Sequence, residues 1–491
     1  MVLWQPFRRM RFLRRRAMAL ALASCAMLIG FQMKLMTSSS AWRPPWRQGR
    51  LRAAGVSGQE GHVVEHHGRE SRTERDRRIM ERQIFRDNEQ ADHRHDDPAP
   101  SWSRSKLPWF FTNGTEWPRP SSRLSRLPNV WPDPQSPHDD RIVSQLMYLP
   151  PGYKGQPKSI NTTYDTNDLR LGDASNDAAA VKTIVLYGGW YDFLGGRELF
   201  LRDRCPVDKC VVHQGSHMSE RKSAVVDAFI YKDYYYHPAV PNITGRQVKI
   251  MYLLENPMHT FVPSGDAGID WMATYRKDSD IVTPYEKFVL FDPLVKAIKR
   301  DFDYSQNKTK MIAWFVSNCA ASNRRLDYAH QLQKHIEVDI YGLCGTLDCP
   351  RSESERCYQM LDNDYYFYLS FENANCKDYI TEKFFNALRH NVVPVVMGAS
   401  REDYLAAAPY HSYIHVDDFG SPKELAEYLQ LLSRNRTLYN QYFEWKGTGE
   451  FVNTYFWCRL CAMLHAPPAP AKRRTQSVHE WWHEGTCRAV A

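Results

Sequence analysis

No internal repeat runs along this 491-residue chain, which excludes a stacked-repeat architecture. A glycine-rich phosphate-binding loop ending in lysine and serine or threonine is also missing, which argues against a sulfotransferase. His62, His66, His67, His93 and His95 have neither the spacing nor the flanks of a closed metal site. Nothing resembles a nucleic-acid module, although the formal charge is +8, and nucleic acid is not expected as a partner. From Thr37 to Asp140 the composition is poor for a core. Proline-rich pieces such as Arg43-Pro-Pro-Trp46 and Trp131-Pro-Asp-Pro134 stand among many Arg, Ser and His. Such a segment cannot bury enough apolar surface to offset its ordering entropy. Long hydrophobic runs are scarce as well.

One run is present. Ala17 to Met33 is apolar apart from Ser24 and Gln32, near the lower limit for crossing a bilayer. Arg8, Arg9, Arg11, Arg14, Arg15 and Arg16 precede it and Lys34 follows. That charge holds the amino end in the cytoplasm and sends the rest to the lumen. A cleaved signal peptide, with small residues from Ala21 to Ala26, is the rival reading. The uninterrupted apolar run favours the anchor. Eleven cysteines become ten once Cys25 is assigned to the membrane, an even number suited to an oxidising lumen. Sequons at Asn113, Asn161, Asn242, Asn307 and Asn435 point the same way.

The expected organisation is a cytoplasmic tail (1–16), a signal-anchor (17–36) and a stem (37–140). Two α/β domains follow (141–290 and 291–465), then a C-terminal tail (466–491). Apolar runs at Lys182–Gly189, Ala224–Tyr231 and Val248–Leu254 read as buried strands. A second set comprises Lys310–Val316, Val338–Tyr341, Tyr366–Phe371 and Val392–Met397, with helical stretches at Arg325–His335 and Ile380–Arg389. Strands alternating with helices predict parallel sheets, and ligands bind at the carboxyl ends of such strands.

Phe367-Tyr-Leu-Ser-Phe-Glu-Asn373 begins the richest segment, an apolar strand leading to a polar loop and then Asp378-Tyr-Ile-Thr-Glu-Lys383. A helix opening near Asp378, capped by that residue, would offer free N–H groups to a diphosphate, with Lys383 adding a point charge. Together with Val393-Pro-Val-Val-Met-Gly398, Ser412–Phe419 and Ser421–Leu425, this segment resembles the signature of the α1,3-fucosyltransferases, glycosyltransferase family 10. The resemblance extends from about residue 180 to 465.

That resemblance implies a GT-B fold, two Rossmann-like domains flanking a cleft, and transfer of fucose from GDP-fucose with inversion. It implies Golgi residence as a single-pass type II membrane protein. Glu255, in Met251-Tyr-Leu-Leu-Glu-Asn-Pro257, matches the family's general base. Tyr285, Ser317, Asn318, Arg325, Tyr368, Asn373, Tyr379, Glu382 and Lys383 match donor contacts, with Arg324 an alternative to Arg325. Trp190 is a candidate acceptor contact. No tightly bound cofactor or fixed metal is expected, although Mn2+ or Mg2+ could stimulate. Asp278-Ser-Asp280 and Asp417-Asp418 only look like metal-holding pairs. The family places cysteines that join the tail to the first domain, which implies Cys205–Cys458 and Cys210–Cys461. Tyr341–Pro350 and Gly447–Cys458 resemble the branch acting on the innermost GlcNAc of N-glycans, with Ala320-Ala-Ser-Asn323 departing from it. The alternatives are an antennal, Lewis-type fucosyltransferase and a non-catalytic, lectin-like Golgi relative, the latter opposed by the intact Glu255, Arg325 and Glu382-Lys383.

Overall fold

The computed structural model describes residues 107–118 and 130–133, most of 140–291, and then 302–466 and 476–488. The expected cytoplasmic tail, the anchor and most of the stem lie outside the described residues. So do Trp190, Asn161 and Asn242. Among the described residues, no helix is long and apolar enough to cross a membrane.

Two parallel sheets organise the chain. The first contains β1 (Lys182–Tyr187), β2 (Cys210–Gln214), β4 (Ala228–Lys232), β6 (Val248–Leu253), β7 (Trp271–Thr274) and β8 (Ile281–Val282). Its order is β2-β1-β4-β6-β7-β8. A separate parallel pair, β3 (Ala224–Val225) and β5 (Ile243–Thr244), belongs to the same half. A ribbon follows, in which β9 (Lys287–Leu290) runs antiparallel to β15 (Gly449–Val452). The second sheet contains β10 (Lys310–Phe315), β11 (Val338–Tyr341), β12 (Tyr365–Phe371), β13 (Val393–Met397) and β14 (Ile414–His415), in the order β11-β10-β12-β13-β14.

Among the described residues, the first half holds the α-helices α1 (Arg141–Leu146) and α2 (Glu198–Arg202). Those around the second sheet are α3 (Arg325–Gln333), α4 (Ser354–Asn363), α5 (Glu382–Arg389), α6 (Arg401–Ala407), α7 (Pro422–Arg434) and α8 (Arg436–Gln441). Two more close the chain, α9 (Phe456–Leu464) and α10 (Val478–His483).

Side-chain alternation explains why the strands read as unbroken apolar runs. In the first sheet, Ile184, Leu186, Ile230, Ile250 and Ala273 enter one core. Val185, Phe229, Tyr231, Met251 and Met272 enter a different one on the opposite face. Both faces are covered, so apolar residues predominate at both alternate positions. The second sheet is likewise covered, with Trp314, Phe367, Phe371 and Val395 on one side and Ala313, Tyr365 and Tyr368 on the other.

Two boundaries differ from the sequence expectation. Trp109, Phe110, Phe111 and Val130 are buried in the first core, so the body reaches back to Leu107 and the stem stops short of it. Trp109 is 1% exposed, and its indole N–H donates to the Leu146 carbonyl at 3.0 Å. Clustered aromatics outweigh the surrounding prolines and charges, which a composition average dilutes. The carboxyl-terminal residues are not a free tail either, because α10 buries Trp481 and Trp482.

Helix α9 returns from the second half of the sequence to cover the first sheet. Cys458, Leu460, Cys461 and Met463 join the same core as Trp109. Disulfides Cys205–Cys458 and Cys210–Cys461 fix it there. The fully buried Arg459 donates to Gln145 Oε1 at 3.0 Å. Gln145 in turn donates to the carbonyls of Val130 and Asp280. Three further disulfides, Cys319–Cys344, Cys349–Cys357 and Cys376–Cys487, use the other cysteines of the body. Asn113 and Asn307 are exposed, as a modified asparagine must be, whereas the Asn435 side chain caps α8 by accepting from Leu438 N.

Trp109→Ala should cost roughly 3–5 kcal/mol, the range for deleting a buried large aromatic. Denaturant unfolding followed by tryptophan fluorescence measures it. A chain truncated to begin at residue 120 should fail to fold, whereas one beginning at 98 should fold.

Candidate active site

Glu255 follows β6 at the carboxyl end of the first sheet, where the chain leaves the strand as Leu254-Glu-Asn-Pro257. Its Oε1 accepts from the Tyr379 hydroxyl at 2.6 Å, from Asn256 N at 3.0 Å and from Asn256 Nδ2 at 2.5 Å. Asn373 Nδ2 approaches at 3.4 Å. Tyr379 and Asn373 come from the loop after β12, on the second sheet. All these bonds end on Oε1. Among the described residues Oε2 has no partner, and the side chain remains 43% exposed. Burial pushes the carboxyl pKa up, but the bonds from Tyr379, Asn256 and Asn373 outweigh it. The group therefore titrates below its ordinary value. It stands ionised at neutral pH with one oxygen available to take a proton.

A second group lies where α5 begins. Glu372 directly follows β12 with its carboxylate fully buried, accepting from Thr381 N at 2.7 Å and Thr381 Oγ1 at 2.9 Å. Lys383 Nζ sits 3.2 Å from Glu372 Oε2 and donates to Thr381 Oγ1 at 2.8 Å and Glu382 Oε1 at 3.1 Å. Burial alone would lower the lysine pKa, yet Glu372 and Glu382 raise it above its ordinary value. Burial raises the Glu372 pKa, opposed by Lys383. The amino end of α5 adds the positive end of its dipole to this charge. Gly398 makes the arrangement possible. Its φ is +148°, and a Cβ there would lie 2.8 Å from the Glu372 side chain.

The remaining expected residues divide. Ser317 and Asn318 are exposed in the loop after β10, which the Cys319–Cys344 disulfide ties to the loop after β11. Tyr285 stands between the domains, its hydroxyl donating to the Leu254 carbonyl beside Glu255 at 3.0 Å. Glu382 is half exposed beside Lys383. Three expectations are corrected. Asp378 does not cap the helix. It takes a left-handed φ of 57° and accepts from Lys277 N at 3.1 Å, while Thr381 caps α5, which starts at Glu382. Tyr368 is 3% exposed and packs on Phe315 in the core, because its strand position faces α4. Arg325 is 4% exposed and donates to the carbonyls of Phe371 at 2.6 Å and Asn318 at 3.1 Å. It braces the loop on which the site stands and presents no free fork. Arg324, the alternative, pairs with Asp327 on the surface.

Glu372 and Asn256 were missed. Their signals were an acid directly after an apolar strand and an asparagine held before a proline. Both are fully buried. In the departing segment, Ser322 donates to the Asn373 carbonyl at 3.3 Å and touches Met258 Sδ at 3.4 Å, so it bridges the two loops. The acidic pairs are committed elsewhere. Asp278 binds Arg276 and Lys377, Asp280 accepts from Met272 N, and Asp418 pairs with Arg401.

Known proteins share sequence with much of the chain. The family model "Fucosyltransferase, N-terminal" matches residues 180–286, and "Glycosyltransferase family 10 (fucosyltransferase) C-term" matches 305–481. Glycoprotein 3-alpha-L-fucosyltransferase A of Drosophila melanogaster is 46% identical over 411 residues, 81% of this chain and 76% of that protein. Alpha-(1,3)-fucosyltransferase C of the same organism is 36% identical over 369 residues, 68% and 85%. The crystal structure of an alpha1,3-fucosyltransferase with GDP-fucose is similar at a TM-score of 0.39 and 16% identity, covering 59% of this chain and 92% of that one.

Tyr379→Phe removes a hydrogen bond that favours the charged carboxylate, so the Glu255 pKa should rise. NMR titration of 13C-labelled glutamate reads the midpoint. An unchanged midpoint would show that the phenol does not hold the carboxylate.

Proposed function

The chain belongs to glycosyltransferase family 10, the fucosyltransferases, and we propose that it transfers L-fucose from GDP-fucose, in α1,3 linkage and with inversion, to the innermost GlcNAc of N-glycans. The observation that carries this reading is the identity of 46% across 81% of the chain to a glycoprotein 3-alpha-L-fucosyltransferase. The paired parallel sheets with a site at their facing carboxyl ends fit a GT-B architecture.

In the proposed reaction the acceptor O3 attacks the anomeric carbon of fucose. The bond from that carbon to the diphosphate breaks, and GDP leaves with the electron pair. The O3 proton passes to Oε2 of Glu255. Tyr379, Asn256 and Asn373 hold the other oxygen, so the carboxylate is aimed before the acceptor arrives. The leaving diphosphate gains charge as the bond breaks. Lys383 and the amino end of α5 are placed to take it up, and Glu382 is the partner that Lys383 would relinquish. Arg325 supports this indirectly, by fixing the backbone at Asn318 and Phe371. No resident metal is proposed, because the acidic pairs that resemble metal sites are bound to basic side chains and backbone. We further infer the Golgi membrane as location, with residues 17–36 as anchor, from the arginine-flanked apolar run.

Glu255→Gln should reduce turnover by ~10²-fold or more and leave GDP affinity nearly unchanged. Lys383→Ala should weaken GDP by about 1.5–3 kcal/mol, as for a lost charge-assisted hydrogen bond. Steady-state kinetics and calorimetry with GDP separate the two roles. Near-normal turnover of the first variant, or an unchanged GDP dissociation constant of the second, removes that residue from its role.

The acceptor is tested with GDP-fucose and defined N-glycans, followed by linkage analysis. Fucose should appear on O3 of the innermost GlcNAc, and free lactosamine should be a poor acceptor. Efficient transfer to lactosamine with the core unmodified would assign the enzyme to antennal glycans.

A further inference from the structure

The segment 476–488 makes a set of contacts that the reaction scheme above does not use. It touches the loops on both sides of Glu255. On the donor side, Cys487 is disulfide-bonded to Cys376, and the backbones pair at Lys377 N to Thr486 O (2.8 Å) and Arg488 N to Asn375 O (2.8 Å). These residues lie inside the loop that carries Asn373 and Tyr379. On the acceptor side, Trp482 Nε1 donates to Thr260 Oγ1 at 2.9 Å, and His479 Nδ1 lies 2.7 Å from the Val262 carbonyl. Thr260 Oγ1 then donates to the Asn256 carbonyl at 3.0 Å.

Trp482 is where the two sides meet. It is fully buried, and its ring packs on Tyr275 with centroids 5.6 Å apart. Tyr275 packs in turn on Tyr379 at 5.1 Å, and the Tyr379 hydroxyl holds Glu255 Oε1. One path from Trp482 to the carboxylate runs through these rings and the other through Thr260 and Asn256. The neighbouring Trp481 closes the assembly against the first sheet. The Arg276 guanidinium lies 3.9 Å over its ring, donates to the Trp481 carbonyl, and reaches Thr486 Oγ1 at 3.1 Å.

We propose that Trp482, on a carboxyl-terminal strap anchored through Cys376–Cys487, is a positioning residue for the Glu255 carboxylate. The strap fixes the acceptor-side loop 256–262 against the donor-side loop 372–380, so that Oε1 is held and Oε2 faces the acceptor. This rests on Glu255 being the proton acceptor. Trp482 touches neither substrate nor the reacting atoms. Its effect passes through the phenol of Tyr379 and the backbone of Asn256.

The test uses the whole enzyme with Trp482→Ala, Trp482→Phe and the double variant Cys376→Ser/Cys487→Ser, beside Glu255→Gln. For Trp482→Ala and the double variant, kcat should fall by about 10-fold or more, as misplacement of a reacting group requires. The acid limb of the pH–rate profile should move to higher pH, because the bonds that lower the Glu255 pKa are loosened. The dissociation constant for GDP should rise by a smaller factor than kcat falls, since Glu372 and Lys383 keep their own bonds to Thr381. Trp482→Phe keeps a ring against Tyr275 and should restore most of the turnover. Hydrogen exchange should quicken in 256–262 and 372–380 for Trp482→Ala. Unchanged exchange, an unmoved acid limb, or equal losses of GDP binding and turnover without rescue by phenylalanine would each overturn the proposal. If Glu255→Gln keeps its turnover, the base assignment fails. The exchange measurement then still decides whether the strap holds the two loops.

Discussion

A carboxylate on one half of the molecule is held by a phenol on the other. The 2.6 Å contact between Tyr379 and Glu255 is the constraint on which the site depends, because neither domain contains a complete site. Glu255 belongs to the first sheet and Tyr379 to the loop after β12. Tyr379 is itself 1% exposed, wedged between Tyr275 and the second domain. A buried hydroxyl that lost its acceptor would be left unsatisfied, so the contact also favours the assembled state of the cleft. Tyr285 adds a further bond at the same place, to the carbonyl preceding Glu255. The proposed proton acceptor and the domain interface are therefore one structure.

The donor side follows a different logic. Lys383, the cation proposed to meet the diphosphate, is already paired with Glu372 and Glu382. The two acids are not equivalent. Glu372 is buried, bonded twice to Thr381, and fixed in place by the glycine at 398. Glu382 is half exposed and free to turn away. An incoming anion thus meets a lysine whose position is set by one carboxylate and whose charge is only lightly held by the other. In the proposed function the buried acid orients the lysine that meets the diphosphate and does not compete for its site.

Much of this was legible in the residues. Parallel sheets buried on both faces produce the apolar runs from which both domains were read, and Glu255, Asn373, Tyr379 and Lys383 fall in one region. The errors have physical causes. Periodicity does not say which face of β12 Tyr368 occupies, and it faces core. A motif does not say whether an arginine donates to a ligand or to carbonyls, and Arg325 does the second. The Asp378 cap failed because its carboxylate is engaged by Lys277 from the other domain, a contact no local pattern encodes. Trp109 packs on Tyr455 and Trp482 on Tyr275, partners far away in the chain that a composition window around either short aromatic cluster does not encode.

The return of α9 to the first sheet has a consequence for biosynthesis. Translation delivers β1 to β8 first, then the whole second sheet, and only afterwards the helix that carries Cys458 and Cys461. The strands and surrounding helices of the second sheet are contiguous in sequence, from Lys310 to Gln441. Those of the first are not, since the face bearing Ile184, Leu186 and Ile230 shares its core with α9, a helix made after them. A chain ending at residue 452 would hold the second sheet with its helices but lack the partner of Cys376, and its first sheet would lack the helix that covers the face bearing Ile184. The amino-terminal domain, although made first, therefore completes its core only after the second sheet has been made.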